Sequence, residues 1–152
     1  MSYYDKVGTY YDKDAVDFEQ RYHQNPALQR IRQSFREHTK SYEQTTVLEV
    51  GFGPGFDLVH FAEQFPQRKF YGIDISPEMV RLTQEKIDRM GLKNAWVAKG
   101  SVEDITILFP EVQFDMIYVF FGALNTVNDL EGAFADLRAV LSSGGRMVLT
   151  FV

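Results

Sequence analysis

The residues best suited to chemistry lie in one run, Val47-Leu48-Glu49-Val50-Gly51-Phe52-Gly53-Pro54-Gly55-Phe56, with Asp74 closing the next apolar stretch. Glycine is needed where a backbone turns sharply or where a ligand comes too close for a Cβ. An acid ending the following strand can accept both hydroxyl hydrogens of an adenosine ribose. The glycines stand as G-x-G-x-G, not the G-x-G-x-x-G of dinucleotide folds, and the bulky Phe56 follows them. Pro54 also removes a backbone donor that a phosphate would use. The loop therefore suits a nucleoside without phosphates. Taken singly, Glu49 could cap a loop, Asp74 could cap the next helix beside Ser76, and Gly53 and Gly55 could serve helix–strand packing. Their joint placement favours a ligand site.

The elements that must position these residues are legible around them. Thr46 to Val50 reads as a buried strand, and Phe56 to Gln64 as a helix stopped by Phe65-Pro66. Lys69 to Ile73 is a second strand closed by Asp74. Ser76 is an N-cap with Pro77 at the first helical position, for a helix reaching Met90 and capped by Gly91. Ala95 to Lys99 and the apolar Phe114 to Phe120 are the third and fourth strands. Asp129 to Leu141 is a helix, Ser142 to Gly145 turns the chain, and Arg146 to Val152 is a fifth strand. Strands alternating with helices predict an α/β fold, doubly wound around a mostly parallel sheet.

The chain of 152 residues is expected to form one domain: an N-terminal helical lid or substrate region over 1–44, and an α/β core over 45–152. Pro26 opens a helix whose Leu28, Ile31 and Phe35 share a face. Its Arg32, Arg36 and Lys40 repeat at four-residue steps, which reads as a solvated stripe. A net charge of −5 is a poor footprint for duplex nucleic acid. Cysteine is absent, which excludes thiolate chemistry, and His23, His38 and His60 lack ligand spacing, so no metal is expected. No apolar run is long enough for a membrane span, and a reducing cytoplasm is the simplest compartment.

Glu49-x-Gly51-x-Gly53-x-Gly55 followed by Tyr71-Gly72-Ile73-Asp74-Ile75-Ser76 resembles the class I S-adenosylmethionine-dependent methyltransferases, whose sheet is Rossmann-like. Gly100-Ser101-Val102-Glu103-Asp104 is similar to the family's adenine-contacting loop, and Leu137 to Arg146 to the turn before its fifth strand. Tyr11-Asp12 to Arg21-Tyr22 is weakly similar to the lid of its small-molecule members. The resemblance implies S-adenosylmethionine as cofactor. It assigns the methionine amino end to Glu49 and the loop of Gly51, Gly53 and Gly55, and the ribose to Asp74. It places Ile75 and Met79 beside the adenine, Ser101 and Val102 at its edge, and Phe120 in the pocket wall. Ser101 departs from the family's frequent aspartate, and Glu103 or Asp104 could substitute for it.

Methyl transfer from a sulfonium needs alignment more than acid–base groups. No catalytic residue is singled out, although Tyr10, Tyr11, His23 and Asn125 are available as bases. Tyr118-Val119-Phe120-Phe121-Gly122 stands where amino-group methylases carry Asn/Asp-Pro-Pro-aromatic, which argues against adenine or glutamine nitrogen as acceptor, and the lid resemblance implies a small-molecule acceptor. A non-catalytic S-adenosylmethionine-binding module and, with less support from the glycine spacing, a nicotinamide-dependent oxidoreductase stay open. Asp74, at a strand end, is expected to be exposed in the crevice. The family's sheet continues past the fifth strand, so the chain is expected to be a shortened version, or to pair as a homo-oligomer through that strand's edge.

Overall fold

The computed structural model describes residues 1–151. Two helices open the chain. The first, α1 (Tyr3–His23), starts in a capping box in which the Asp5 N–H donates to Ser2 Oγ and the Ser2 N–H to Asp5 Oδ2. The second, α2 (Pro26–Lys40), is capped by Asn25, whose Oδ1 accepts from the N–H groups of Ala27 and Leu28. The core then alternates: β1 (Thr46–Val50), α3 (Phe56–Gln64), β2 (Lys69–Asp74), α4 (Pro77–Met90), β3 (Ala95–Lys99), the short α5 (Ile105–Leu108), β4 (Phe114–Val119), α6 (Leu130–Val140) and β5 (Leu141–Leu149).

All strand pairs are parallel, in the order β3-β2-β1-β4-β5. Alternate residues point to opposite faces, so each strand feeds two cores. Leu48, Ile73, Ile117 and Leu137 pack on one face, and Val47, Leu58, Phe70, Met116 and Tyr118 on the other. Burying one such side chain stabilises the fold by about 1.5–3 kcal/mol. The sheet is therefore rigid where it carries the site. Val50, Asp74 and Val119 end their strands at one edge, beside the break in strand order, which is where open α/β sheets bind ligands.

Three sequence expectations need correction. The fifth strand begins at Leu141 and ends at Leu149. Leu141 pairs with Phe114, the register then slips, and Arg146 pairs with Met116. Ser142 to Gly145 thus bulge out of a strand already begun. Thr150 lies beyond it, with its N–H donating to Val119 O and its Oγ1 accepting from Gly122 N–H; Val152 lies outside the described residues. The fourth strand stops at Val119, leaving Phe120 just past its end. The arginine stripe of α2 is not solvated: Arg32 is 7% exposed and Arg36 half-buried, because both reach the buried carboxylate of Asp57 in the first turn of α3. Lys40 alone follows the expectation and is exposed. No helix among the described residues is long and apolar enough to cross a membrane.

Candidate functional site

A cavity of about 550 Å³ opens at the carboxyl ends of β1, β2 and β4. That size suits a small ligand or cofactor. Glu49, Gly51, Gly53, Asp74, Ile75, Met79, Ser101, Val102 and Phe120 all line it; Gly55 lies off its wall. The two glycines differ for a steric reason. Gly53 has φ +56° and nothing within 4 Å of where a Cβ would stand, so its bare backbone faces open space. Gly55 has φ +83°, and a Cβ there would come within 2.6 Å of the Thr83 methyl. Gly55 lets the loop lie against α4, where the Thr83 hydroxyl donates to Gly53 O at 3.0 Å.

Asp74 is buried, contrary to the expectation of an exposed strand end. The reason is local. Its Oδ2 accepts from the Gly53 N–H at 2.8 Å and its Oδ1 from the Ser76 N–H at 2.9 Å, while α1 closes over it. Burial pushes its carboxyl up to about 6, against the lowering effect of these backbone donors. Ser76 in turn caps α4, its Oγ accepting from Met79 N–H and donating to Asp12 of α1 at 2.6 Å. Asp12 Oδ1 also accepts from Glu78 N–H at 3.2 Å. Gly8 permits this seat, since a Cβ there would lie 2.8 Å from Ile75 O.

The Glu49 end of the cavity is polar. Tyr118 donates its hydroxyl to Glu49 Oε2 at 2.8 Å. Burial, and then the neighbouring Asp57 charge, hold Glu49 well above the usual carboxylate range; Tyr118, Arg32 and Arg36 pull the other way. Asp57 Oδ2 accepts from Arg32 Nη1, and its Oδ1 from Arg36 Nε at 2.7 Å. Arg36 also donates to Phe56 O at 2.7 Å. Arg32 and Asp57 line the cavity beside Glu49, and sequence reasoning missed both. The signal available was Asp57 at the first turn of a helix, opposite a regular run of arginines.

At the far end of the cavity, Ser101 donates its N–H and its Oγ hydrogen to Asp104 Oδ2, at 2.8 and 3.1 Å. Asp104 is therefore engaged by Ser101 itself, and Glu103 accepts from the Tyr4 hydroxyl at 3.3 Å. With its hydrogen committed, Ser101 Oγ can still accept from a donor. The opposite wall is aromatic: Tyr4, Tyr11, Phe18 and Tyr22 of α1, with Phe121 after β4. Of the candidate bases, Tyr11 lines the cavity, but burial raises its hydroxyl further from deprotonation. Tyr10 is exposed, His23 packs edge-on against Phe56, and Asn125 sits in a 3₁₀ turn over Ala123–Thr126.

Comparison with known proteins agrees with this geometry. A family model described as a methyltransferase domain matches residues 47–145. The tRNA (guanine-N(7)-)-methyltransferase of Edwardsiella ictaluri is 35% identical over 80 residues, which cover 52% of this chain and 34% of that protein. The corresponding enzyme of Mycoplasmopsis pulmonis is 32% identical over 80 residues, 53% of this chain and 39% of that one. The chain thus spans about a third of the length of these curated relatives. YcgJ from Bacillus subtilis superposes with a TM-score of 0.61 at 26% identity, over 76% of this chain and 47% of that one. Coclaurine N-methyltransferase, solved with N-methylheliamine and SAH, gives 0.64 at 19% identity over 77% and 33% of the two chains, a likeness of fold. On the family match and the five-stranded parallel sheet, this chain belongs to the class I S-adenosylmethionine-dependent methyltransferases.

Proposed function

We propose that this cavity binds S-adenosylmethionine and that the chain methylates a small, largely apolar acceptor held under α1. The observation that carries the reading is Gly53, a left-handed glycine whose bare face borders the cavity beside a buried acid, Asp74. The residues present fit the cofactor in kind. Asp74 would take the ribose hydroxyls, Met79 and Ile75 would flank the base, Ser101 Oγ would accept from its amino group, and Glu49 would meet the methionine ammonium. When bound, the cofactor supplies an electrophilic methyl group on a good leaving group.

The protein's part is then alignment and the exclusion of water. The ring wall of Tyr11, Phe18, Tyr22 and Phe121 favours a flat or apolar acceptor. Burial moves the Tyr11 hydroxyl on this wall away from deprotonation, which favours an acceptor atom that is nucleophilic without prior proton loss. A second reading takes a guanine of tRNA as acceptor, because the curated relatives named above carry that activity. A net charge of −5 and a site closed by a helix weigh against it. Incubation with methyl-labelled cofactor, in parallel with small aromatic amines, thiols and phenols and with unmodified tRNA, tests both. Label in tRNA alone would refute the small-molecule reading.

A further inference from the structure

Two stripes of α1 face the rest of the chain, and they differ in kind. Tyr4, Tyr11, Phe18 and Tyr22, at steps of seven, seven and four, put rings on the cavity wall. Gly8, Asp12, Ala15 and Glu19, at steps of four, three and four, form the seam along α4 and the turn before it. A seam of two small residues and two carboxylates gains little from apolar burial, but it fixes register, because each acid has its own partner. Asp12 Oδ1 accepts from Ser76 Oγ at 2.6 Å and from the Glu78 N–H at 3.2 Å, and Glu19 accepts from Lys86 Nζ. A slip of one turn would carry Tyr11 about 5.4 Å along the wall and part both acids from these donors.

The Asp12 contact also reaches the cavity. Ser76 holds two carboxylates at once: its hydroxyl donates to Asp12, and its N–H donates to Asp74 Oδ1 at 2.9 Å. Capping α4 does not require the second acid, since Ser76 Oγ already accepts from Met79 N–H. Asp74 is 8% exposed, and like charges this close in a poorly solvated place repel. Burial raises the Asp74 carboxyl, and the Asp12 charge raises it further. Hydroxyls donating to Asp74 would draw on its charge and lessen that repulsion. Occupancy of the Asp74 site and the seat of Asp12 on Ser76 then favour one another.

We propose that Asp12 is a positioning residue that ties the closure of α1, and with it the ring wall of the acceptor pocket, to a ribose bound at Asp74. This rests on the reading of the cavity as an S-adenosylmethionine site.

Hydrogen exchange of the α1 amides is measured with and without saturating methylthioadenosine, a nucleoside that lacks the amino-acid end, and affinities are measured by calorimetry. In wild type the ligand should slow exchange over Tyr3–His23 by about fivefold or more, the low end of couplings between sites. Asp12→Ala should exchange faster over α1 without ligand and lose most of this slowing. It should also bind methylthioadenosine more weakly by a similar factor, because coupling is reciprocal. Asp12→Asn separates charge from geometry. Its Oδ1 can still accept both hydrogen bonds, so α1 should stay seated, yet the ligand should slow exchange by less than about twofold. Wild type that binds methylthioadenosine without slowing α1 exchange overturns the coupling and leaves the cavity reading standing. So does an Asp12→Asn protein with the full wild-type slowing, which would make the contact structural alone. Both of these arms hold whether or not Asp12→Ala folds. Wild type that binds neither methylthioadenosine nor S-adenosylmethionine overturns the cavity reading and this proposal with it.

Discussion

The carboxylate of Asp74 accepts the backbone N–H of Gly53 at 2.8 Å, so the acid that ends β2 also sets the loop that follows β1. The acid and the glycine loop are one hydrogen-bonded unit. Asp74→Ala should therefore weaken S-adenosylmethionine binding by ~1.5–3 kcal/mol through lost charged hydrogen bonds. It should also lower stability by about 1–3 kcal/mol, because the Ser76 and Gly53 donors lose their acceptor. Calorimetry and chemical denaturation read the two effects separately; a variant as stable as wild type would mean that the loop does not depend on Asp74.

The same residue predicts a pH dependence. Burial raises Asp74 to about 6 in the fold, above the ordinary carboxylate value of the unfolded chain. Between roughly pH 4 and 6 the native state thus binds more protons than the unfolded one, and this group's contribution to stability falls as pH rises through that window. Ribose hydroxyls donate to the ionised form, so nucleoside affinity should move the opposite way and weaken as pH drops below about 6. Methylthioadenosine titrations from pH 5 to pH 8 check this with little interference from the amino-acid end. A flat profile would place the ribose elsewhere.

Gly53→Val should abolish cofactor binding while the protein stays folded, since a Cβ there has no protein atom within 4 Å and the branched side chain would extend into the cavity. The left-handed backbone adds a stability cost of about 1–2 kcal/mol. Gly55→Ala should behave differently: its methyl collides with Thr83, so melting temperature should fall first, with affinity following only as the loop shifts. Circular dichroism melts paired with binding isotherms distinguish the two patterns.

Asp57→Ala would leave Arg32 and Arg36 without their shared carboxylate in a buried setting. Breaking such a pair from one side costs roughly 3–5 kcal/mol. The expected outcome is a large loss in denaturant midpoint. Hydrogen exchange should show α2 deprotected ahead of β1 and β4; unchanged protection of α2 would show that its apolar face holds it alone.

The core was legible because its signals are local. Thr46 to Val50, Lys69 to Ile73 and Ala95 to Lys99 are short apolar runs between glycine, proline and capping residues, and each became a strand, the second longer by Asp74. Ser76 and Pro77 announced α4 to the residue. What escaped was tertiary. Four-residue spacing in α2 cannot tell a solvated arginine from one drawn inward by a carboxylate distant in the chain, and only Asp57's burial decides it. A strand-end acid looks exposed until a helix from the other end of the chain lies over it. The slip between Leu141 and Arg146 is a register event, which pattern alone does not record.

The seat of α1 has a consequence for how the molecule breathes. Among its described residues only Gly8 and Ala15 are buried, and both are small. Its hold on α4 is largely polar, through Asp12 at Ser76 and Glu78 and through Glu19 at Lys86 Nζ, 2.6 Å away. Phe18, Tyr22 and His23 add ring contacts on Phe56. Water can replace the polar contacts, and neither face of the sheet's core contains an α1 residue. The segment over the cavity is thus expected to be a separate, less stable cooperative unit that opens more often than the strands beneath it. Salt, which screens Glu19–Lys86 but leaves apolar packing intact, should loosen that unit before it touches the sheet.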